Sequence, residues 1–123
     1  MANKKILIIE DEKSLVEMLK MRFEREGYSV IASYDGKDGL DKAKKENPGL
    51  IILDLMLPVM DGYKICALLK KDSRYSKIPI IMFTAKAQDS DRELGMEMGA
   101  DAYITKPFDA ALLLAKIKEL IKE

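Results

Sequence analysis

Short aliphatic runs alternate along this chain with longer stretches whose apolar residues recur every three or four positions. The first run, KKILIIE (4–10), is isoleucine-rich, as expected of a strand buried on both faces. From about Ser14, Leu15, Val16, Leu19 and Phe23 fall at helical spacing, and Gly27 ends that helix. YSVIAS (28–33) predicts a second strand, followed by a helix from about Lys37 to Glu46 that Asn47 and Pro48 break. LIILD (50–54) predicts the third strand, after which Asp61 caps a helix carrying Ile65, Leu68 and Leu69. IPIIMFT (78–84) is the fourth strand, with a weaker helix from about Ser90 to Met98 ahead of Gly99. DAYIT (101–105) is the fifth, and Asp109 caps a last helix ending near Lys122.

Neither repeat nor linker interrupts the alternation, so residues 1–123 read as one domain. Five strand–helix units predict an α/β fold, a (βα)5 doubly wound parallel sheet with right-handed crossovers and helices on both faces. Cys66, inside a helical apolar stripe, reads as a small buried hydrophobe, and Met96 and Met98 as core and gap filling. On the last helix Ala110, Leu113, Leu114, Ile117, Leu120 and Ile121 share one apolar face. Leu112 points away from it, between Lys116 and Glu119.

Ligands in such sheets sit beyond the carboxyl ends of the strands. Strand 1 ends on Glu10 and Asp11, strand 3 on Asp54, strand 4 on Thr84 and Ala85, and strand 5 is followed by Lys106 and Pro107. Three acids, a hydroxyl and an ammonium therefore converge on one edge. Three carboxylates share a small site only when a cation joins them. Oxygen donors without histidine or a thiolate pair select Mg²⁺, which takes one or two carboxylates and a phosphate. Asp54 then reads as a nucleophile held beside a metal.

Composition narrows the classes further. The chain is 48% hydrophobic and 34% charged with a formal net charge of zero, which argues against a nucleic-acid surface and against an acidic disordered arm. No apolar run is long enough to span a bilayer, and MANKKILIIEDEK lacks a signal-peptide core and cleavage site. One cysteine forms no internal disulfide and suits a reducing cytoplasm. The absence of histidine excludes histidine catalysis and histidine metal sites.

Taken together, Glu10-Asp11, Asp54, Thr84, Lys106-Pro107 and the loop LPVMDG (57–62) resemble the receiver domain of two-component response regulators over essentially the whole chain. The resemblance implies the flavodoxin-like, CheY-like strand order 2-1-3-4-5. It implies that Asp54 becomes an aspartyl phosphate, and that Asp11, Asp54 and the Met56 carbonyl bind Mg²⁺. Glu10, one methylene longer than the aspartate of many relatives, acts through metal-bound water. Lys106 and Mg²⁺ neutralise the phosphoryl charge, and the Thr84 hydroxyl and Ala85 amide hydrogen-bond its oxygens. Pro107 follows a cis peptide that aims Lys106 into the site. Thr84 and Tyr103 resemble the family's switch pair, biasing a two-state equilibrium, and Gly95 weakens the fourth helix that is suited to move.

Each residue alone has a plainer reading: Asp11 as a turn former, Lys106 as a surface lysine, Thr84 as a strand end. Their agreement at successive strand ends outweighs those readings. A flavin protein of this topology needs a neutral phosphate loop where EDEKS (10–14) places carboxylates. A haloacid-dehalogenase-like phosphatase needs a second acid at position 56, which is methionine.

Without histidine or a glycine-rich nucleotide loop, the chain is not its own kinase. The donor is a phosphohistidine on a histidine kinase or phosphotransfer protein, or an acyl phosphate. Met56 and Lys86 flank the path of hydrolytic water; Met56 cannot orient that water and Lys86 can cover the phosphoryl group, which predicts slow autodephosphorylation. No output domain follows the fifth helix in this sequence, so a stand-alone receiver and one cut from a longer protein are equally compatible. Ala102 and Lys116 replace the Asp and Arg of the salt-bridged dimers of winged-helix relatives. That predicts a monomer or weak dimer presenting Leu112, with Tyr103 nearby, to a downstream protein.

Overall fold

The computed structural model of the protein describes residues 2–122. The elements run β1 (Lys5–Ile9), α1 (Lys13–Arg25), β2 (Ser29–Ser33), α2 (Gly36–Glu46), β3 (Leu50–Leu53), α3 (Gly62–Lys71), β4 (Ile80–Thr84), α4 (Asp89–Glu97), β5 (Ala102–Thr105) and α5 (Ala110–Ile121). The five strands form a single parallel sheet in the order β2-β1-β3-β4-β5. This is the arrangement expected from the alternation and the resemblance. β3 begins with its aliphatic run and the other strands one or two residues after theirs; at β4 the run starts at Ile78, but Pro79 has no amide to donate and pairing begins at Ile80.

Because β1, β3 and β4 are covered on both faces, successive residues enter opposite cores. Ile6, Ile8, Leu50, Ile52, Ile81 and Phe83 pack against Val16, Leu19 and Phe23 of α1 and Leu113, Leu114, Ile117 and Ile121 of α5. Leu7, Ile9, Ile51, Leu53, Ile80 and Met82 pack against Leu40 and Ala43 of α2 and Ile65, Cys66 and Leu69 of α3. Each such side chain contributes roughly 1.5–3 kcal/mol of hydrophobic stabilisation. Asp35, Asp61 and Asp109 cap α2, α3 and α5 by accepting from the amides of Asp38, Lys64 and Ala111. Among the described residues no helix is long and apolar enough to cross a membrane.

α4 is the loosest layer, with Gly95 its one buried residue. Here the expected role of Met96 needs correcting. It is 47% exposed, on the solvent side of α4, while Met98 does pack against the α2–α3 core. Cys66 is fully buried, and burial pushes its thiol up to about 11. It behaves as the small hydrophobe expected.

Candidate functional site

The parallel register places the ends of β1, β3 and β4 side by side. The Glu10 amide donates to the Ser33 carbonyl and the Asp54 amide to the Ile9 carbonyl, each at 3.0 Å, so both acids leave the sheet at its carboxyl edge. Gly62 lets α3 begin directly beneath this edge, because a Cβ there would lie 2.4 Å from the Asp54 carbonyl oxygen. The Lys106 amide donates to the Thr84 carbonyl at 2.8 Å, which brings the chain leaving β5 back across the end of β4. The Lys106–Pro107 peptide is cis.

Glu10, Asp11 and Asp54 each place a carboxylate oxygen within 4.8 Å of the others. Glu10 is 1% and Asp54 6% exposed, whereas Asp11 stands at the open mouth. Lys106 Nζ donates to Asp54 Oδ2 at 3.2 Å and to Glu10 Oε1. The ammonium also lies over the Phe83 ring, 5.2 Å from its centroid, and Phe108 supports that ring edge to face at 4.8 Å. The Met56 amide donates to Asp54 Oδ1 at 3.2 Å, and the Glu12 amide to Glu10 Oε2 at 3.0 Å. Among the described residues no buried side-chain nitrogen or oxygen lacks a hydrogen-bond partner.

Burial pushes the Glu10 carboxyl up to about 7, and the neighbouring Asp54 charge adds to that; the Lys106 and Glu12 hydrogen bonds only partly offset it. Burial disfavours the Lys106 ammonium, yet its hydrogen bond to Glu10 and the Asp54 charge outweigh that and hold its pKa above the usual lysine value. Three carboxyl groups thus face one ammonium, two of them buried, an acidic excess that a cation would balance. This all-oxygen set fits one hard divalent cation, and Asp11 is open to the solvent.

Thr84 is fully buried, and its Oγ1 accepts from the Lys86 amide at 3.4 Å. Ala85 is exposed beside it, with Lys86 half-buried and Met56 exposed on the other rim. Tyr103 departs from the expected picture of a ring presented near Leu112. It is 6% exposed and packs on the opposite face of the sheet from α5, its hydroxyl donating to the Lys86 carbonyl at 2.8 Å. Burial, with Tyr63 and Asp91 adding, raises that hydroxyl to about 12. Leu112 is 68% exposed, as its helical position predicts, but stands without the tyrosine ring beside it.

Three features of this edge had no clear signal in the residue pattern. The aromatic floor under Lys106 requires knowing that Phe83 and Phe108 meet. Arg92 reads as one more surface charge, yet its guanidinium lies 5.1 Å from the Tyr103 ring centroid. Val59 takes a positive φ of 74°, which a β-branched residue in LPVMDG does not announce.

The response regulator receiver domain family matches residues 6–118. The chain is 46% identical over 122 residues to the alkaline phosphatase synthesis transcriptional regulatory protein PhoP of Bacillus subtilis (strain 168), covering 98% of this chain and 49% of that protein. It thus spans about half the length of that curated relative. Its fold is similar to the Francisella response regulator 1452 receiver domain, with a TM-score of 0.91, 30% identity and 98% of each chain covered. The chemotaxis protein CheY4 of Vibrio cholerae is similar at a TM-score of 0.88 and 30% identity, over 97% of this chain and 99% of that one.

Proposed function

This chain belongs to the response regulator receiver domain family, the signalling domains of two-component systems, and from that premise we propose that Asp54 takes a phosphoryl group from a phosphohistidine on a separate histidine kinase or phosphotransfer protein. One observation carries the reading: Asp54 is buried at the end of β3 with Glu10 and Asp11 within 4.8 Å and Lys106 Nζ 3.2 Å from its Oδ2.

An Asp54 carboxylate oxygen attacks phosphorus, the new O–P bond forms as the P–N bond breaks, and the electron pair leaves with the donor imidazole. Lys106 sits where negative charge gathers on the group in transfer. The Thr84 hydroxyl and the Ala85 amide donate to its oxygens on arrival. Asp11, Asp54 and the Met56 carbonyl would hold Mg²⁺, with Glu10 behind them, and the ion when bound supplies charge neutralisation to the transferring group. The Lys106 pairing to both buried acids supports a site poised for this, since its ammonium already balances part of their charge.

Afterwards the charge at Asp54 draws Thr84 and, through the Thr84–Tyr103 pair, biases the α4–β5–α5 surface toward a downstream protein. Self-phosphorylation from acyl phosphate and slow loss of the phosphoryl group are the chemistry this reading assigns to the chain itself. The domain works in the cytoplasm as a monomer or weak dimer, contacting neither nucleic acid nor membrane.

The test is labelling with an acyl phosphate and Mg²⁺, followed by intact mass. Wild type gains one phosphoryl group, and chelator abolishes the gain. Equal labelling of Asp54→Asn would refute the assignment.

A further inference from the structure

β5 is an edge strand, so the Tyr103 ring depends on α4 for its cover. α4 supplies that cover with little apolar burial of its own, Gly95 being its one buried residue. At Gly95 a Cβ would lie 3.0 Å from the Tyr103 ring, so the missing side chain is what admits the ring beneath the helix. One turn earlier, Arg92 lies over the same ring with its guanidinium 5.1 Å from the centroid, and its Nη1 donates to the Tyr103 carbonyl at 3.2 Å. From α3, the Tyr63 hydroxyl donates to the Asp91 carbonyl at 3.2 Å, pinning the start of α4 over the pocket.

The ring held in this way is itself a tether. Its hydroxyl donates to the Lys86 carbonyl at 2.8 Å, and the Lys86 amide donates to Thr84 Oγ1 at 3.4 Å. Contacts therefore run without a break from Arg92 on the outside of α4 to the hydroxyl at the end of β4.

We propose that Arg92 is a positioning residue of the acceptor site: by clamping Tyr103 beneath α4 it holds the 85–88 loop, and with it the Thr84 hydroxyl and Lys86, in place over Asp54. The part concerning phosphoryl lifetime rests on the acceptor reading above; the part concerning the loop does not. Arg92 is solvent-exposed, so replacing it leaves both cores intact. A cation over an aromatic face and a hydrogen bond to a carbonyl are lost together.

Hydrogen exchange of the unphosphorylated protein reads the clamp directly. In Arg92→Gln the Lys86 amide, which donates to Thr84 Oγ1 at 3.4 Å, should exchange about fivefold to thirtyfold faster, the factor that ~1–2 kcal/mol of lost local stability gives. Arg92→Lys, which keeps the cation without the planar stack, should lie between the two. Glu93→Gln, the exposed neighbour, should match wild type. Phosphoryl lifetime, measured by mass after labelling, should shorten in the same order. Unchanged loop exchange in Arg92→Gln overturns the proposal, as does a uniform rise across β4 and β5, which would mean general loosening. Faster loop exchange with an unaltered lifetime also overturns it. Equal labelling of Asp54→Asn would retire the acceptor reading while leaving the exchange result standing.

Discussion

Replacing Lys106 by methionine tests the electrostatics of the site in the metal-free protein. The substitution keeps a stem able to rest on Phe83 and removes the charge that joins Glu10 and Asp54. At 3.2 Å the Lys106–Asp54 attraction is about 5 kcal/mol before desolvation, at an effective dielectric of about 20. Removing one partner of a buried pair costs about 3–5 kcal/mol. The Lys106 side chain is 21% exposed, so the expected loss is smaller, about 2–4 kcal/mol once both acids are ionised.

That loss depends on pH, and the direction follows from Glu10. Its folded value of about 7 lies above the ordinary 4.5, so between those values the folded chain keeps a proton that the unfolded chain has released. Stability therefore falls as pH rises through this window, by roughly 3 kcal/mol at most, and the cost vanishes below 4.5 where both states are protonated. The Lys106 hydrogen bond holds the Glu10 value down, so without Lys106 it climbs and the window extends upward. Wild type and Lys106→Met should thus converge in acid and diverge in alkali. Urea unfolding in chelator should show the 2–4 kcal/mol deficit at about pH 8 and a smaller one at about pH 5, where Glu10 keeps its proton and only the Lys106–Asp54 part of the loss remains. An equal deficit at both values, or a larger one in acid, would refute the reasoning.

The alternation of aliphatic runs with helical spacing was enough to give five strands, five helices and the edge where the acids meet, because strands buried on both faces have little freedom in composition. Chain order alone brought Glu10, Asp11, Asp54, Thr84 and Lys106 to that edge. What escaped the pattern was set by packing between elements distant in sequence. Gly95 reads as a flaw in a weak helix until the Tyr103 ring is seen 3.0 Å from where its Cβ would be. Tyr103 reads equally well as an exposed edge residue, since period-2 logic assigns a face but not what covers it. Met96 misled for the same reason: α4 buries so little that an apolar residue on it has no core to enter.

Two further consequences concern the rim of the acceptor. Met56→Asn with Lys86→Glu replaces a side chain unable to orient water and a cation able to cover the phosphoryl group; autodephosphorylation followed by mass should speed about tenfold, equivalent to ~1.4 kcal/mol, and an unchanged decay would refute the shielding. Val59→Gly should stabilise the protein, because the Met60 amide donates to the Pro58 carbonyl at 2.9 Å across a Val59 φ of 74°, a γ-turn of the strained hand. Strain of this kind costs about 1–3 kcal/mol, and valine here is 77% exposed, so little packing is lost with its side chain. Glycine brings back roughly 0.5–1 kcal/mol of unfolded-state entropy, leaving a net gain of about 1 kcal/mol. Val59→Ala keeps the Cβ and should gain less. The Pro58 carbonyl also accepts from the Gly36 amide at 3.1 Å, so the turn is held from α2 as well as from within, which is how a strained residue persists. Denaturant midpoints decide the matter: if Val59→Gly unfolds at lower urea than wild type, the backbone at Val59 is not under strain.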